Sequence, residues 1–271
     1  MFTVVIPTYN REDKLELNAN RLNDQIYYPD EILIINNGDK PLSNKIKLEN
    51  FKNVRVIETV VSAGVSQARN IGATVASNEW IAFLDDDDSW DERYLFEANK
   101  TISSNPEVIS VLGKKVIYDE ETKSRRDYKS PKGKLALEEL FIKNPGIGGP
   151  NTIIRKKEFL GLGGYDITLK TSEDKSLIID LIMKNGDNAV IVNEKMIALI
   201  HRDGGERLTD PKNMMIGINN FIKKYEMKMS RSQIYMNKYK IERYRMRVSD
   251  KFNPLLLMKV SLFKLISILS R

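Results

Sequence analysis

The chain contains no cysteine. That absence excludes a disulfide framework, thiol catalysis and any zinc or iron–sulfur centre held by thiolates. A single histidine, His201, stands among 271 residues, so a multi-histidine metal site is excluded as well. No basic leader precedes the opening MFTVVIPTYN, and its apolar run is shorter than that of a signal peptide. This argues against export and is compatible with the cytosol. No internal repeat or low-complexity tract interrupts the sequence. With cysteine and multiple histidines removed, catalysis must rest largely on carboxylates.

What is present suffices for a core. At 41% apolar and 30% charged residues, the chain suits one large domain or two small ones. The formal net charge is +6, and the excess sits late. From Lys223 to Arg247, KKYEMKMSRSQIYMNKYKIERYRMR is heavily basic with interleaved tyrosines, whereas the first 112 residues show no such bias. The asymmetry points to an anionic partner near the C-terminus, a membrane surface or nucleic acid.

FTVVIP, DEILIIN, VRVIETV and WIAFLD read as short, β-branched strands suited to burial on both faces. Helical patterns lie between them at Arg11 to Asn23, weakly at Ser43 to Asn50, and at Ser66 to Ser77 with a serine cap. The alternation predicts a largely parallel α/β sheet in the first ~110 residues, with nucleotide-type ligands at the C-terminal ends of its strands. Beyond it come a strand over Val108 to Tyr118, a charged loop over Asp119 to Lys134, a helix at LALEELFIK, and the glycine-rich NPGIGGPNTIIRKKEFLGLGGYD. The expected organisation is a domain over 1–210, in halves 1–112 and 113–210, followed by a basic helical tail over 211–271.

The last tail segment is amphipathic. Leu255, Met258, Leu262, Leu265, Ile266 and Leu269 share one helical face, and Lys259, Lys264, Ser267 and Arg271 mark the other. It is short for crossing ~30 Å of hydrocarbon, which favours lying in the interface of an anionic membrane. Packing on the domain, or on another subunit, is the competing reading. Nucleic acid is not expected, because no recognition fold accompanies the basic residues.

The stretch WIAFLDDDDSWDERYL ends an apolar strand in four aspartates, Asp85 to Asp88. Carboxylates so close do not all ionise cheaply without a cation or hydrogen-bond donors, and oxygen-only ligands suit Mg²⁺ or Mn²⁺. A solvated acidic turn capping a helix near Asp91 is the alternative. An EF-hand loop fits poorly, since Trp90 stands where that loop needs glycine.

VVIPTYNR, ILIINNGD, SAGVSQARNIGATVAS, FLDDDDSW, and GGYD followed by SEDKSLIIDLIMKNG occur in an order and spacing that resemble the family 2 glycosyltransferases. The resemblance covers roughly Phe2 to His201. It implies a GT-A fold, a mostly parallel central sheet flanked by helices, and transfer of a sugar from a nucleoside diphosphate with inversion at the anomeric carbon. UDP is the implied nucleotide.

The resemblance implies a role for each motif. Pro7, Thr8, Tyr9 and Arg11 would face the nucleotide base. Asn36 stands where relatives carry an aspartate, and its amide retains a donor and an acceptor for uracil. Gly64 and Arg69 would serve the phosphates at a helix N-terminus. Asp87 becomes the direct ligand of Mn²⁺ or Mg²⁺, Asp86 a ribose contact, Asp85 a support for Arg69 or the sugar, and Asp88 an acceptor-facing group or a cap. Asp174 becomes the base that deprotonates the acceptor hydroxyl, and Glu173 an acceptor or sugar contact. Helical spacing independently places Asp174 on a face with Leu177, Ile178 and Leu181, pointing inward.

His201 is implied near the metal or diphosphate, with Arg207 in a similar role. Gly148, Gly149, Pro150 and Asn151 would form an acceptor-side loop. Gly163 and Gly164 would turn beside the donor sugar, with Tyr165 and Asp166 packed there. The partners implied are a nucleotide-sugar donor, a glycan or polyprenyl-linked acceptor and an anionic membrane. The expected location is cytoplasmic, peripheral on the inner face of the cell membrane, in surface-polysaccharide assembly. A sugar nucleotidyltransferase is the alternative enzyme, but its GGxGTR-type loop is missing near the N-terminus. A membrane- or RNA-binding module is the non-enzymatic one.

Overall fold

The computed structural model describes residues 1–42, 53–61, 64–201, 210–249 and 254–270. The weak helix expected at Ser43 to Asn50, together with Ser62, Ala63, Arg207 and Arg271, lies outside the described residues.

The first half alternates as its apolar periodicity requires. It runs β1 (Phe2–Thr8), α1 (Glu12–Asn20), β2 (Glu31–Asn36), β3 (Val54–Glu58), α2 (Val65–Val75) and β4 (Trp80–Phe83). β1 pairs in parallel with β2 and β4, and β2 in parallel with β3. β1, β2 and β4 are buried throughout, in keeping with their unbroken apolar runs. β3 departs from the expected two-sided burial. It is the outer strand, and Val56 is half exposed.

α2 starts one residue before Ser66, and its N-cap is Gly64 rather than a serine. Gly64 has φ of 84°, a left-handed backbone that favours glycine. Further along α2, Gly72 lets the helix settle on β1 and β2, because a Cβ there would lie 2.4 Å from Val5 Cγ1.

The second half extends the same sheet with mixed directions. It contains β5 (Asp88–Trp90), α3 (Tyr94–Ser104), β6 (Ser110–Tyr118), β7 (Arg125–Asp127), α4 (Leu137–Ile142), β8 (Thr152–Arg155), α5 (Lys156–Gly161), α6 (Glu173–Asn185) and β9 (Val190–His201). The strand order is β3-β2-β1-β4-β8-β6-β9-β5, with β7 paired to β6. The charged loop expected over Asp119 to Lys134 therefore carries a short strand. One apolar cluster packs on each side of the sheet, around Leu33, Phe83 and Leu181 on one and around Ile34, Tyr94 and Met196 on the other.

Three helices follow: α7 (Pro211–Tyr225), α8 (Arg231–Arg247) and α9 (Pro254–Leu269). α7 begins at a capped end, where Asp210 accepts from the backbone of Lys212 and Asn213. Phe221, Ile222 and Tyr225 of α7, with Ile241 of α8, join the cluster that holds Leu177 and Leu181. The first two tail helices thus share the domain's core. α9 packs on α8, where Ser232 Oγ donates to the carbonyl of Ser267 at 2.5 Å and Tyr235 meets Phe263.

Candidate active site

The aspartate block leaves β4 at the C-terminal end of the parallel strands, where this sheet type presents ligands. Within it the four carboxylates face different neighbours. Asp86 is buried, accepts from Thr8 Oγ1 at 2.7 Å and lies 3.3 Å from Arg11 Nη1. Asp87 is partly exposed and pairs with the same Arg11 nitrogen at 2.8 Å. Asp85 meets Arg69 Nη2 at 2.5 Å. Asp88 is buried in β5 and accepts from the backbone N–H of His201 at 3.2 Å.

Asp88 does not cap a helix. β5 pairs antiparallel with β9, and α3 begins only at Tyr94 with Arg93 at its N-cap. Its side chain instead turns toward Asp85 and Asp87, so that one oxygen from each of the three lies within 4.8 Å of the others. Burial pushes Asp87 and Asp88 upward from the usual carboxylate range, and the neighbouring carboxylates add to the shift. Asp86 is pushed up to about 6, chiefly by burial. An oxygen-only cluster with this mutual repulsion fits Mg²⁺ or Mn²⁺, which would relieve it.

Arg69 has neighbours other than those expected of a phosphate ligand. It is buried on α2, with Nη1 3.6 Å from Asp174 Oδ1 and its guanidinium 5.4 Å from the Tyr165 ring centre. It therefore bridges Asp85 and Asp174. Burial opposes its charge, but the two carboxylates more than compensate and hold it protonated. Gly149 makes room for this bridge, since a Cβ there would lie 2.4 Å from Arg69 Nη2.

Glu173 and Asp174 open α6, after Ser172 with a left-handed φ of 74°. Burial lifts both acids, and Glu173 reaches about 8 with Asp174 as the next cause. Arg69 opposes the rise at Asp174. Such a carboxyl accepts a proton at a pH far nearer neutrality than an exposed one does.

Several expected contacts are already committed within the chain. Asn36 Nδ2 donates to Lys40 O at 2.8 Å and Glu58 Oε2 at 2.6 Å, and its Oδ1 accepts from Gly38 N. It shapes the turn after β2, leaving no amide donor for a base. Asn151 is fully buried, with Nδ2 bound to the carbonyls of Gly113 and Gly146 and Oδ1 accepting from Gly148 N. It holds the glycine-rich loop together and cannot reach an acceptor. Pro7 and Thr8 are buried in β1, whereas Tyr9 is 43% exposed beyond the strand end and lies 3.5 Å from Asp39.

His201 meets the carboxylate cluster through its backbone N–H, which donates to Asp88. Its Nε2 lies 2.7 Å from Ser89 Oγ and 2.9 Å from Arg21 Nη1, and its Nδ1 is 2.7 Å from Glu120. These neighbours hold the ring, and Asp87 lines the cavity beside it. This cavity, of ≈ 480 Å³, opens between them and α1, lined by Lys14, Asn18, Asp87, Tyr118, Glu120 and His201. The volume suits a ligand of nucleotide size. Gly163 and Gly164 turn with φ of 83° and 74°, Tyr165 is buried, and Asp166 pairs with Lys224 at 3.1 Å.

The residues the sequence reading missed include Lys115. It projects from β6 among Asp174, Asp88 and Asp85, whose charges oppose the lowering that burial imposes on it. Its signal was present: two lysines interrupt the apolar strand VLGKKVIY, and alternation sends them to opposite faces. Lys114 pairs with Asp127 on the other side. Arg21 and Glu120, which frame His201, carried no comparable pattern.

The profile of the family described as "Glycosyl transferase family 2" matches residues 3–161, more than half of the chain. The chain belongs to glycosyl transferase family 2. It is 24% identical over 231 residues to an uncharacterized glycosyltransferase of Haemophilus influenzae, covering 84% of this chain and 78% of that one. It is 28% identical over 92 residues to the Escherichia coli UDP-Glc:alpha-D-GlcNAc-diphosphoundecaprenol beta-1,3-glucosyltransferase WfgD, covering 33% of this chain and 36% of the relative. The crystal structure of S. aureus TarS 1-349 in complex with UDP-GlcNAc superposes with a TM-score of 0.63 at 18% identity, covering 98% of this chain and 90% of that one. The fold is thus GT-A-like.

Proposed function

We propose that this glycosyltransferase is metal-dependent and inverting, and moves a sugar from UDP to a hydroxyl of a glycan or lipid-linked acceptor. The observation that carries this reading is the bridge through Arg69. It joins the three-carboxylate cluster at Asp85 to Asp174, the lifted acid at the start of α6.

Asp85, Asp87 and Asp88 would hold the divalent ion, which when bound offsets negative charge developing on the departing diphosphate. Arg69 fixes the orientation of Asp174. Asp174 takes the proton of the acceptor hydroxyl as that oxygen attacks the anomeric carbon from the side opposite the leaving group. Tyr9, at the mouth of β1, supplies an aromatic face for the base, and Arg11 reaches the same mouth through Asp86 and Asp87. The base contact expected of Asn36 is not retained in this reading, because its amide donors are already used.

UDP as the nucleotide is supported by the UDP-GlcNAc bound to TarS and by the UDP-Glc in the name of WfgD. The latter name also supports a diphosphate-linked lipid acceptor and a role in bacterial surface-polysaccharide assembly. Such an acceptor would place the protein at the inner membrane face. No helix among the described residues is long and apolar enough to cross a membrane. α9 exposes Leu255, Met258, Leu262, Leu265 and Leu269, an apolar face suited to an interface.

The test is Asp174→Asn. UDP affinity measured by calorimetry should stay near the wild-type value while transfer is abolished, since this group touches the acceptor rather than the nucleotide. Substantial residual transfer would place the base elsewhere.

A further inference from the structure

Asp174 follows a turn that α6 itself does not hold. Ser172, just before the acid pair, has φ of 74°, a left-handed backbone that a side chain resists, and its hydroxyl does not cap the helix. The apolar side chains that anchor α6 in the core, Leu177, Ile178 and Leu181, come after the pair. A residue other than glycine keeps such a conformation only where its surroundings impose it. Here those surroundings are supplied by α7.

Gly217, Asn220, Phe221 and Lys224 recur at three and four residues, so they form one stripe along α7. Gly217 brings the helix onto Thr171, because a Cβ there would overlap Thr171 Oγ1. Asn220 Nδ2 donates to the carbonyl of Thr168 at 2.8 Å. Phe221 is buried, and the Lys175 ammonium rests 3.6 Å from its ring centre. Lys224 spans the turn. Its Nζ lies 3.1 Å from Asp166 Oδ2 on the near side, and 2.9 Å from Ser176 Oγ and from Asp180 Oδ2 on the far side. Tyr225 Oη, the next residue along, stands 2.7 Å from both Ser176 Oγ and Asp180 Oδ1. These contacts bracket Glu173 and Asp174. Core packing accounts for Phe221 and Tyr225, but it does not call for an ammonium shared between carboxylates across a turn. Ion pairs about a quarter exposed, as these are, contribute little to stability; what they fix is distance.

We propose that α7 is a positioning helix for the transfer reaction: Asn220 and Lys224 are positioning residues that fix the turn at Ser172 and, through it, aim Asp174 at the acceptor hydroxyl. Arg69 steadies the same carboxyl from the sheet side, with Nη1 3.6 Å from Oδ1. A small misplacement of a base costs rate without costing donor affinity. The first helix of the segment that reads from sequence as a basic tail is then part of the catalytic apparatus. This inference rests on the reading of Asp174 as the base.

The experiment uses the full chain. Hydrogen exchange reads the turn: in Lys224→Ala and Asn220→Ala, peptides over 166–176 should lose protection at least about tenfold, while those of β1 and β2 keep theirs. UDP release from UDP-GlcNAc and UDP-Glc with Mn²⁺, with water as the acceptor, reads the chemistry. Each variant should lower kcat at least about tenfold with the donor KM and the UDP affinity unchanged. Lys224→Arg keeps the charge and the reach, and should recover most of the rate. Wild-type kcat in both alanine variants, wild-type protection over 166–176, or a loss of rate matched by a loss of UDP affinity overturns the positioning role. Asp174→Asn is measured beside them. If it releases no UDP while the alanine variants match the wild type, the base reading stands and the positioning role alone falls. Release at the wild-type rate by Asp174→Asn sinks the base reading itself, and the positioning role with it.

Discussion

At the scale of single residues, the site is a set of carboxylates distinguished by their neighbours. Asp87 is the most accessible of the three cluster members judged by its 33% side-chain exposure against 29% for Asp85 and the burial of Asp88. Asp87→Asn should lower turnover by about two orders of magnitude or more and blunt the response to added Mn²⁺, as a titration of rate against metal would record. Full activity in EDTA would remove the metal from the account. Glu173 offers a pH test. Burial and then Asp174 raise Glu173 to about 8, whereas Asp174 itself is raised by burial and Asp85. A base works only when deprotonated, so a lifted acid moves the acidic limb of the rate profile to higher pH. Glu173 is still protonated and neutral where Asp174 ionises, so Glu173→Gln should leave that limb of kcat/KM in place. A limb moved to lower pH would mean that Glu173 is charged when the base titrates. Gly149→Ala probes the Arg69 bridge: the new methyl displaces the guanidinium, and transfer should fall while UDP affinity holds.

At the scale of elements, the sheet depends on a helix that comes unusually close to it. Gly72→Ala gains up to about 1 kcal/mol of helix propensity. Overlap with Val5 in a packed core costs about 1–3 kcal/mol, so the net effect should be a lower urea midpoint. A raised midpoint would show that α2 can back away. The parallel half was legible in the sequence because β1, β2 and β4 are unbroken apolar runs, a pattern that only burial between two layers explains. The aspartate block was legible as a run of like charge at the end of an apolar strand, the inward face of Asp174 through its helical spacing, and Arg69 and Glu173 through the family resemblance. What the sequence hid was pairing across distance. Nothing local says that Asn36 and Asn151 satisfy their amides within the chain, since their partners Glu58 and Gly113 are brought in by the sheet. Nor could Asp88 be read as a strand residue, because its partner β9 lies far along the chain.

At the scale of the whole molecule, the basic tail is two things. α7 and α8 complete the core beneath α6, where Tyr225 Oη binds Asp180 Oδ1 at 2.7 Å and Asn237 caps the carbonyl of Phe141. α9 keeps an apolar outer face, with Leu262 51% and Leu265 53% exposed. Replacing both leucines by glutamate should abolish flotation with anionic vesicles and leave the melting temperature near the wild-type value, because neither side chain supports the core. Unchanged flotation would leave that face without a lipid role. In the proposed reading, one metal-assisted site cleaves a UDP-sugar. The most direct measurement is UDP release from UDP-GlcNAc and UDP-Glc by the full chain with Mn²⁺, followed without acceptor as slow hydrolysis. Release should stop in EDTA and be lost in Asp87→Asn. Release that persists under both conditions would contradict it.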